Sequence, residues 1–395
     1  MTAARKLLTV WLFPFLFFVS YGPSVASPLE PQPADMQRLL SQLQSQSDFR
    51  IAGESVFMPT ELLQFYDARE HQPAWMTSSR EGRKQIFDVF FRLESSHVNG
   101  LCANDYHLGF FRNLFARFDI SEEDFDDIRL QWSSVYDLLL TDALLHYVSH
   151  LIDGLVPSDS IQDSWDIRKS PVDLVMMVKS ALAAGDPETL LQGIQPMHAG
   201  YRALQKILKR YREIDASGGW PSIEPGATLR LGMVDDRVLR LRTLLLLSGD
   251  LMERPEPGPA QMSEADVVAL KQFQRRHGLY PDGILGEKTL SALNVPVAKR
   301  VRQIELNMER WRWLPHSLGE KYLLVNIADF RVSVVDSGKT VLSMPAVVGT
   351  RFRKTPVFSA PLQYIEFSPY WYVPKTSLEE DKLPQIKADP GYLER

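Results

Sequence analysis

Three groupings in the sequence hold side chains that could do chemistry. His146-Tyr147-Val148-Ser149-His150 places two imidazoles one helical turn apart, the spacing with which zinc proteases present two ring nitrogens to one metal. Tyr147 stands where the general-base glutamate would be, and no third ligand is evident, so a helix face rather than a metal site is expected. Val334-Val335-Asp336-Ser337-Gly338 has the form of an aspartic protease loop, whose mechanism needs two such carboxylates sharing one proton. The chain holds no second copy, and Asp, Ser and Gly are the residues a hairpin turn favours. Cys102 has His97, Asp105 and His107 near it, the residue types of a thiolate–imidazole pair. Proximity along the chain does not make such a pair, and a small buried or loop thiol is expected. A P-loop, a dinucleotide fingerprint and a G-x-S-x-G elbow are all missing, which leaves nucleotide enzymes and common esterases without local support. No metal and no cofactor are expected.

The elements that would position any site follow from length, charge and periodicity. A chain of 395 residues exceeds one compact core, and its 45% hydrophobic and 24% charged content is that of ordinary globular domains. Arg5 and Lys6, an apolar run to Val19 and the small residues Ser24-Val25-Ala26 form a Sec-type secretory signal, with cleavage expected after Ala26. The alternative, an uncleaved anchor, has a run well short of the ~20 residues that span a bilayer, and Pro14 interrupts it. Loss of Arg5 and Lys6 takes the net charge from −5 to −7, which argues against nucleic acid as a partner. A single cysteine allows no internal disulfide, so stability must come from packing.

From Met36 to about Trp220 the pattern is mainly helical. Tyr201, Leu204, Leu208 and Tyr211 recur at helical steps, and Gly218-Gly219-Trp220-Pro221 ends that helix. Helices are then expected at Asp235 to Leu247, from Ser263 with Asp266 as a variant capping box, and after Gly286. Pro281-Asp282-Gly283 forms the turn between the last two, and three short helices should share one small core. Val297 to Trp313 repeats the helical period and stops near Pro315. After it come four expected strands, Tyr322 to Asn326, Phe330 to Val335, Thr340 to Val348 and Leu362 to Phe367, with a hairpin turn at Asp336 to Lys339.

Phe273-Gln274-Arg275-Arg276-His277-Gly278-Leu279, Pro281-Asp282-Gly283-Ile284-Leu285-Gly286 and Thr289-Leu290-Ser291-Ala292-Leu293 together resemble the helical peptidoglycan-binding module of wall enzymes. Gln274, His277, Asp282 and Thr289 are its candidate contact residues; bracing of neighbouring domains is the competing role. The flank Asn294-Val295-Pro296 and the run Arg302 to Pro315 are similar to the junction in large periplasmic L,D-transpeptidases. Val348-Gly349, Thr355-Pro356, Tyr370-Trp371-Tyr372-Val373-Pro374 and Asp389-Pro390-Gly391-Tyr392-Leu393 resemble the opening half of their catalytic domain, although many members carry Asn where Tyr372 stands. Tyr66 and Pro73-Ala74-Trp75 resemble their helical scaffold.

The resemblance implies a multidomain chain: a signal peptide at 1–26, a helical scaffold at 27–225, a peptidoglycan-binding module at 226–296, a connecting helix at 297–318, and an incomplete, mainly β catalytic domain at 319–395. It implies a periplasmic location, with the inner membrane a possible neighbour, and peptidoglycan as the partner. Tyr370, Trp371 and Tyr372 would lie on the substrate-groove side. The family transfers stem peptides through a cysteine thiolate with a histidine base and an amide-lined oxyanion site. No histidine or cysteine follows Tyr322, so neither group can be carried over, and the chain is expected to be truncated and catalytically silent. A non-catalytic wall-binding or scaffold protein is the alternative, and a zinc-dependent amidase lacks three evident ligands.

Overall fold

The computed structural model describes residues 33–46, 48–75, 80–115, 134–161, 165–167, 169–253, 260–350, 352–389 and 391–394. The expected leader at 1–26 lies outside them. Among the described residues no helix is long and apolar enough to cross a membrane.

The first body wraps one long helix, Ser134–Asp153. Its apolar residues fall on every side, so it can only be stable when surrounded, and fourteen of its twenty residues are buried. Helices Pro33–Ser45, Pro59–Asp67, Arg80–Glu94 and Leu174–Ala183 pack around it. Met36, Leu62, Phe65, Val89 and Val178 join its Leu138, Leu144 and Val148 in one core.

Two carboxylates sit inside that core. Asp137 accepts hydrogen bonds from the Tyr66 hydroxyl at 2.6 Å and from the backbone N–H groups of Ala74 and Trp75 at 2.8 and 2.9 Å. Asp142 accepts from the backbone of Phe57 and Met58 at 3.0 and 2.8 Å, and pairs with His107 Nε2 at 2.8 Å. Met58 is the N-cap of Pro59–Asp67 and makes no side-chain cap bond. Asp142 therefore acts as a cap supplied from another helix, its negative charge set at the positive end of the helix dipole.

The second core is small and has the three helices expected from the sequence, at Arg237–Ser248, Glu264–Arg276 and Glu287–Leu293. Leu241, Leu245, Leu270, Phe273, Leu285 and Leu293 fill it. Ser263 and Asp266 form the capping box, and Arg242 donates to both Asp266 oxygens at 2.8 and 2.9 Å. Burial alone would raise the Asp266 carboxyl, but Arg242 and Ser263 hold it below the usual carboxylate range.

A third core joins Ala199–Ala216 to Val297–Arg312 through Tyr201, Leu208, Ile304 and Met308. Tyr201 meets Arg312 and Arg212 meets Glu305, so the two helices run in opposite directions. The fully buried Arg312 donates to the Asn99 carbonyl at 2.8 Å, to the Tyr201 hydroxyl at 3.1 Å and to Glu309 at 2.9 Å. Lys169 Nζ donates to the carbonyls of Ile152 and Arg312, closing the C-terminal ends of two helices with one cation.

The last region holds a three-stranded antiparallel sheet, Lys321–Asn326, Arg331–Asp336 and Lys339–Pro345, in that order. Ser337 and Gly338 form its second hairpin turn, between Arg331–Asp336 and Lys339–Pro345, both at positive φ (49° and 75°), as a type I′ turn requires. The fourth expected strand is not formed: residues 362–367 are irregular, and Leu362, Ile365 and Phe367 are exposed. Backbone adopts a ladder only where a neighbouring strand meets its hydrogen-bonding groups, and among the described residues no strand pairs with this segment. Val357–Phe358 instead pairs in parallel with Trp165–Asp166 of the helical body.

The structure yields two stability predictions. Asp142→Ala removes the acceptor of two part-buried N–H groups and the partner of buried His107, and should cost about 3–5 kcal/mol in urea unfolding; a loss below about 1 kcal/mol would refute the anchoring role. Of the sheet residues only Val335 is buried, so limited trypsin digestion should cut within 319–395 before it cuts the helical bodies, and equal resistance would refute this.

Candidate functional site

The turn between Glu264–Arg276 and Glu287–Leu293 is the most completely specified local structure outside the core. Gln274 is buried, and its side-chain amide nitrogen donates to Asp282 Oδ1 at 2.8 Å, to the Ile284 carbonyl at 3.1 Å and to Thr289 Oγ1 at 3.1 Å. Its oxygen accepts from the Gly283 N–H at 2.8 Å. One amide thus ties the helix before the turn to the turn itself and to the helix after it. Gly283 sits at φ 74°, and a Cβ there would come within 2.6 Å of Val267 Cγ1, so glycine is required twice over. Asp282 also accepts from the Ile284 N–H at 2.9 Å, and this contact comes first among those that hold its carboxyl below the usual range.

Of the four residues assigned to this site from the sequence, the structure brings Gln274, Asp282 and Thr289 into one hydrogen-bonded set. Gln274 and Thr289 are buried and spend their polar atoms inside the turn. Asp282 is exposed. His277 closes the preceding helix, its ring stacked on Phe273 at 3.9 Å, and its Nδ1–H donates to the Phe273 carbonyl at 2.9 Å. Burial, with Arg276 and Arg300 nearby, pushes the imidazolium down to about 4, so the ring is neutral at pH 7. Tyr280, which sequence reasoning passed over, lies between them in the chain and is 82% exposed. The signal that could have found it is an aromatic residue placed directly before a Pro-Asp-Gly turn, where it has no core to enter.

This module is fixed to its neighbours by polar contacts. Arg276 pairs with Asp250 at 2.5 Å and reaches the Tyr211 hydroxyl at 3.4 Å, while Asn294 exchanges hydrogen bonds with the Ile223 backbone at 2.8 and 2.9 Å. Trp220 Nε1 donates to the Val295 carbonyl at 3.1 Å. The exposed turn is therefore carried on a rigid support.

The other sequence-marked residues go elsewhere. His146 and His150 lie with ring centroids 4.0 Å apart; His146 stacks on Phe57, and His150 pairs with the Tyr106 hydroxyl at 2.9 Å. Burial lowers both, His150 to about 3. Among the described residues no group of three or more His, Cys, Asp or Glu side chains is arranged to hold a metal. Cys102 is exposed, and its sequence neighbour His107 is bound instead between Asp142 and Glu54. Asp336 pairs with Lys321 at 2.9 Å across the sheet. Tyr370, Trp371 and Tyr372 are exposed; Lys382 Nζ lies 5.7 Å over the Trp371 ring and donates to the Tyr392 hydroxyl at 2.8 Å.

Three family models match the chain: a scaffold domain over residues 60–208, a "Putative peptidoglycan binding domain" over 264–293, and an L,D-transpeptidase catalytic domain over 320–395. Over 102 residues the chain is 30% identical to a protein of Haemophilus influenzae named "Putative L,D-transpeptidase", an alignment covering 25% of this chain and 20% of that protein. The chain thus spans about a fifth of the length of that relative. These matches bear out the resemblance to L,D-transpeptidases read from the sequence, including its helical and sheet-containing parts.

The pH behaviour of His277 is a direct check on this geometry. A histidine in the unfolded chain takes its proton near 6.5, whereas His277 in the folded module takes it near 4. Between those values the unfolded state binds more protons, so this residue's contribution to stability should fall as pH drops from 6.5 towards 4 and level off below. In NMR titration its ring signals should move near pH 4; a midpoint near 6.5 would contradict the packing described.

Proposed function

We propose that this chain is a peptidoglycan-engaging protein of the L,D-transpeptidase group, exported to the periplasm by residues 1–26, and that residues 226–296 hold the polymer. Tyr280, Asp282 and His277 make the contact surface, and Gln274 and Thr289 hold it in shape. The observation that carries this reading is the exposed Tyr280-Pro281-Asp282 turn, fixed by a buried amide rather than left as a loose loop. The peptidoglycan-binding match over 264–293, which spans this turn, supports it. An aromatic ring supplies a flat apolar face, the carboxylate accepts from hydroxyl and amide donors, and a neutral imidazole can accept through Nε2.

In this group the chemistry is acyl transfer: a thiolate attacks the carbonyl of a diaminopimelate residue, D-alanine leaves, and an amine takes the acyl group. Residues 320–395 contain neither cysteine nor histidine, so this part of the matched catalytic domain supplies no nucleophile and no imidazole base. Tyr370, Trp371 and Tyr372 would line the groove that receives the stem peptide, and the 395 residues by themselves would not catalyse transfer. The scaffold match over 60–208 and the peptidoglycan-binding match over 264–293 support a second reading, wall binding and scaffolding without catalysis.

The full chain should be retained on purified sacculi. Tyr280→Ala, and Asp282→Asn, which keeps an oxygen for Gln274 and Ile284, should each lower retention at least threefold with the melting temperature unchanged. Wild-type retention by Tyr280→Ala would overturn the assignment of the turn. Release of D-alanine from tetrapeptide stems by the purified chain would overturn the silent catalytic part.

A further inference from the structure

Away from the peptidoglycan-binding module, the junction of the helical body with Val297–Arg312 holds a cavity of about 190 Å³. Leu155, Val156, Leu306 and Trp313 line it together with Arg302 and Arg310. Leu155, Val156 and Leu306 are 39%, 40% and 43% exposed, an apolar cluster open to solvent around one recess. The volume is below the range of small-molecule sites, ~300–1,000 Å³, and suits one aliphatic side chain.

The concavity is preformed. Glu309 accepts from the N–H groups of Leu155 and Val156 at 2.6 and 3.2 Å and from Trp313 Nε1 at 3.2 Å, which fixes the loop against the helix. Gly154 lets the loop approach, since a Cβ there would lie 2.4 Å from Glu309 Oε1. Both acids at the cavity are neutralised inward, Glu309 by Arg312 and Glu305 by Arg212 at 2.7 Å. The charges facing out are cationic. Arg302 is 66% exposed and touches Glu305 only at 3.4 Å; Arg310 is exposed, with Asn307 at 3.4 Å, and among the described residues no carboxylate lies within ion-pair reach of it.

We infer that this junction is a docking site for an extended acidic peptide segment of a partner protein, with one aliphatic side chain between two carboxylates. The spacing carries the pattern. Residues eight apart on a helix are separated by about 12 Å along its axis. In an extended strand positions i, i+2 and i+4 share one face and span about 13 Å. An acid–x–aliphatic–x–acid segment therefore sets its central side chain into the cavity and its carboxylates on Arg302 and Arg310. Arg–carboxylate pairing supplies orientation, and the apolar anchor supplies desolvation. A flat anionic membrane would meet both arginines but would leave the recess unfilled.

The test uses the full chain and a fluorescein-labelled peptide, Glu-Ser-Leu-Ser-Glu, in anisotropy titrations at low salt. Saturable binding is expected, at least tenfold weaker for the double variant R302E/R310E and for Leu306→Asp. Both variants change exposed side chains, and circular dichroism checks that they fold. The respaced peptide Glu-Leu-Glu-Ser-Ser should bind at least fivefold more weakly. Equal binding of the two peptides, or binding unaffected by the variants, would overturn the proposal. Binding to phosphatidylglycerol vesicles that the same variants abolish, with no peptide binding, would assign the surface to a membrane instead and equally overturn it. Sacculus retention through Tyr280 does not enter this readout, so the two proposals fail independently.

Discussion

A charge taken out of water must be given partners, and that constraint organises this molecule more than any single apolar contact. Asp137 and Asp142 have no exposed surface, and both sit on the helix that the first body surrounds. Each collects backbone N–H groups from a loop far away in sequence. A carboxylate that accepts three hydrogen bonds in one arrangement tolerates few others, so the two loops are located by the helix rather than by their own sequence. Arg312 and Lys169 play the same part with opposite sign, collecting carbonyls and hydroxyls where the helical body meets Val297–Arg312. With one cysteine, the chain has no internal disulfide to hold these parts together. Buried hydrogen-bonded charge takes that place.

The same logic, on a smaller scale, shapes the exposed turn. Gln274 is neutral, so it gives less energy than an ion pair but more geometry: donor and acceptor on one planar group fix both sides of the turn. Asp282 is then held at the surface while its conformation is set from beneath. Recognition of a polymer with many repeated polar groups needs such pre-organisation, because a loop that orders only on binding spends affinity on its own entropy. The ion pair of Arg276 with Asp250 and the Trp220 contact to Val295 extend this rigidity to the adjoining helices.

Much of this was legible in the sequence, and the reasons differ by element. The helices of the second core were readable because local signals agree there: Ser263 with Asp266 at one end, Gly283 in the turn, and Leu270 and Phe273 on one face. The type I′ turn at Ser337-Gly338 was readable for the same reason. Partnerships across long distances were not. Nothing local to Asp142 says that it caps a helix beginning at Pro59, and nothing local to Gln274 says that its amide is consumed internally. The expected strand at 362–367 failed because β-propensity describes a surface that fits a neighbour, and the neighbour is a property of the fold. The site residues split along this line: Asp282 faces solvent, whereas Gln274 and Thr289 are buried beneath it.

The sheet region carries the opposite balance. Its strands pair through their backbones, yet almost all their side chains stay in contact with water, so hydrogen bonding defines its shape without apolar burial to stabilise it. Tyr370, Trp371 and Tyr372 extend from it as three adjacent aromatic rings, of which Trp371 is covered on one side by the Lys382 ammonium. The Arg353 pairs with Glu380 and Asp381 fasten the loop after the sheet to the helical segment that carries Lys382. Exposed ion pairs of this kind contribute little individually, on the order of 0–1 kcal/mol. The arrangement of this region therefore rests on weak, solvent-facing contacts, whereas the helical bodies rest on buried ones. The turn at Asp282, by contrast, is held from beneath by the buried Gln274 amide.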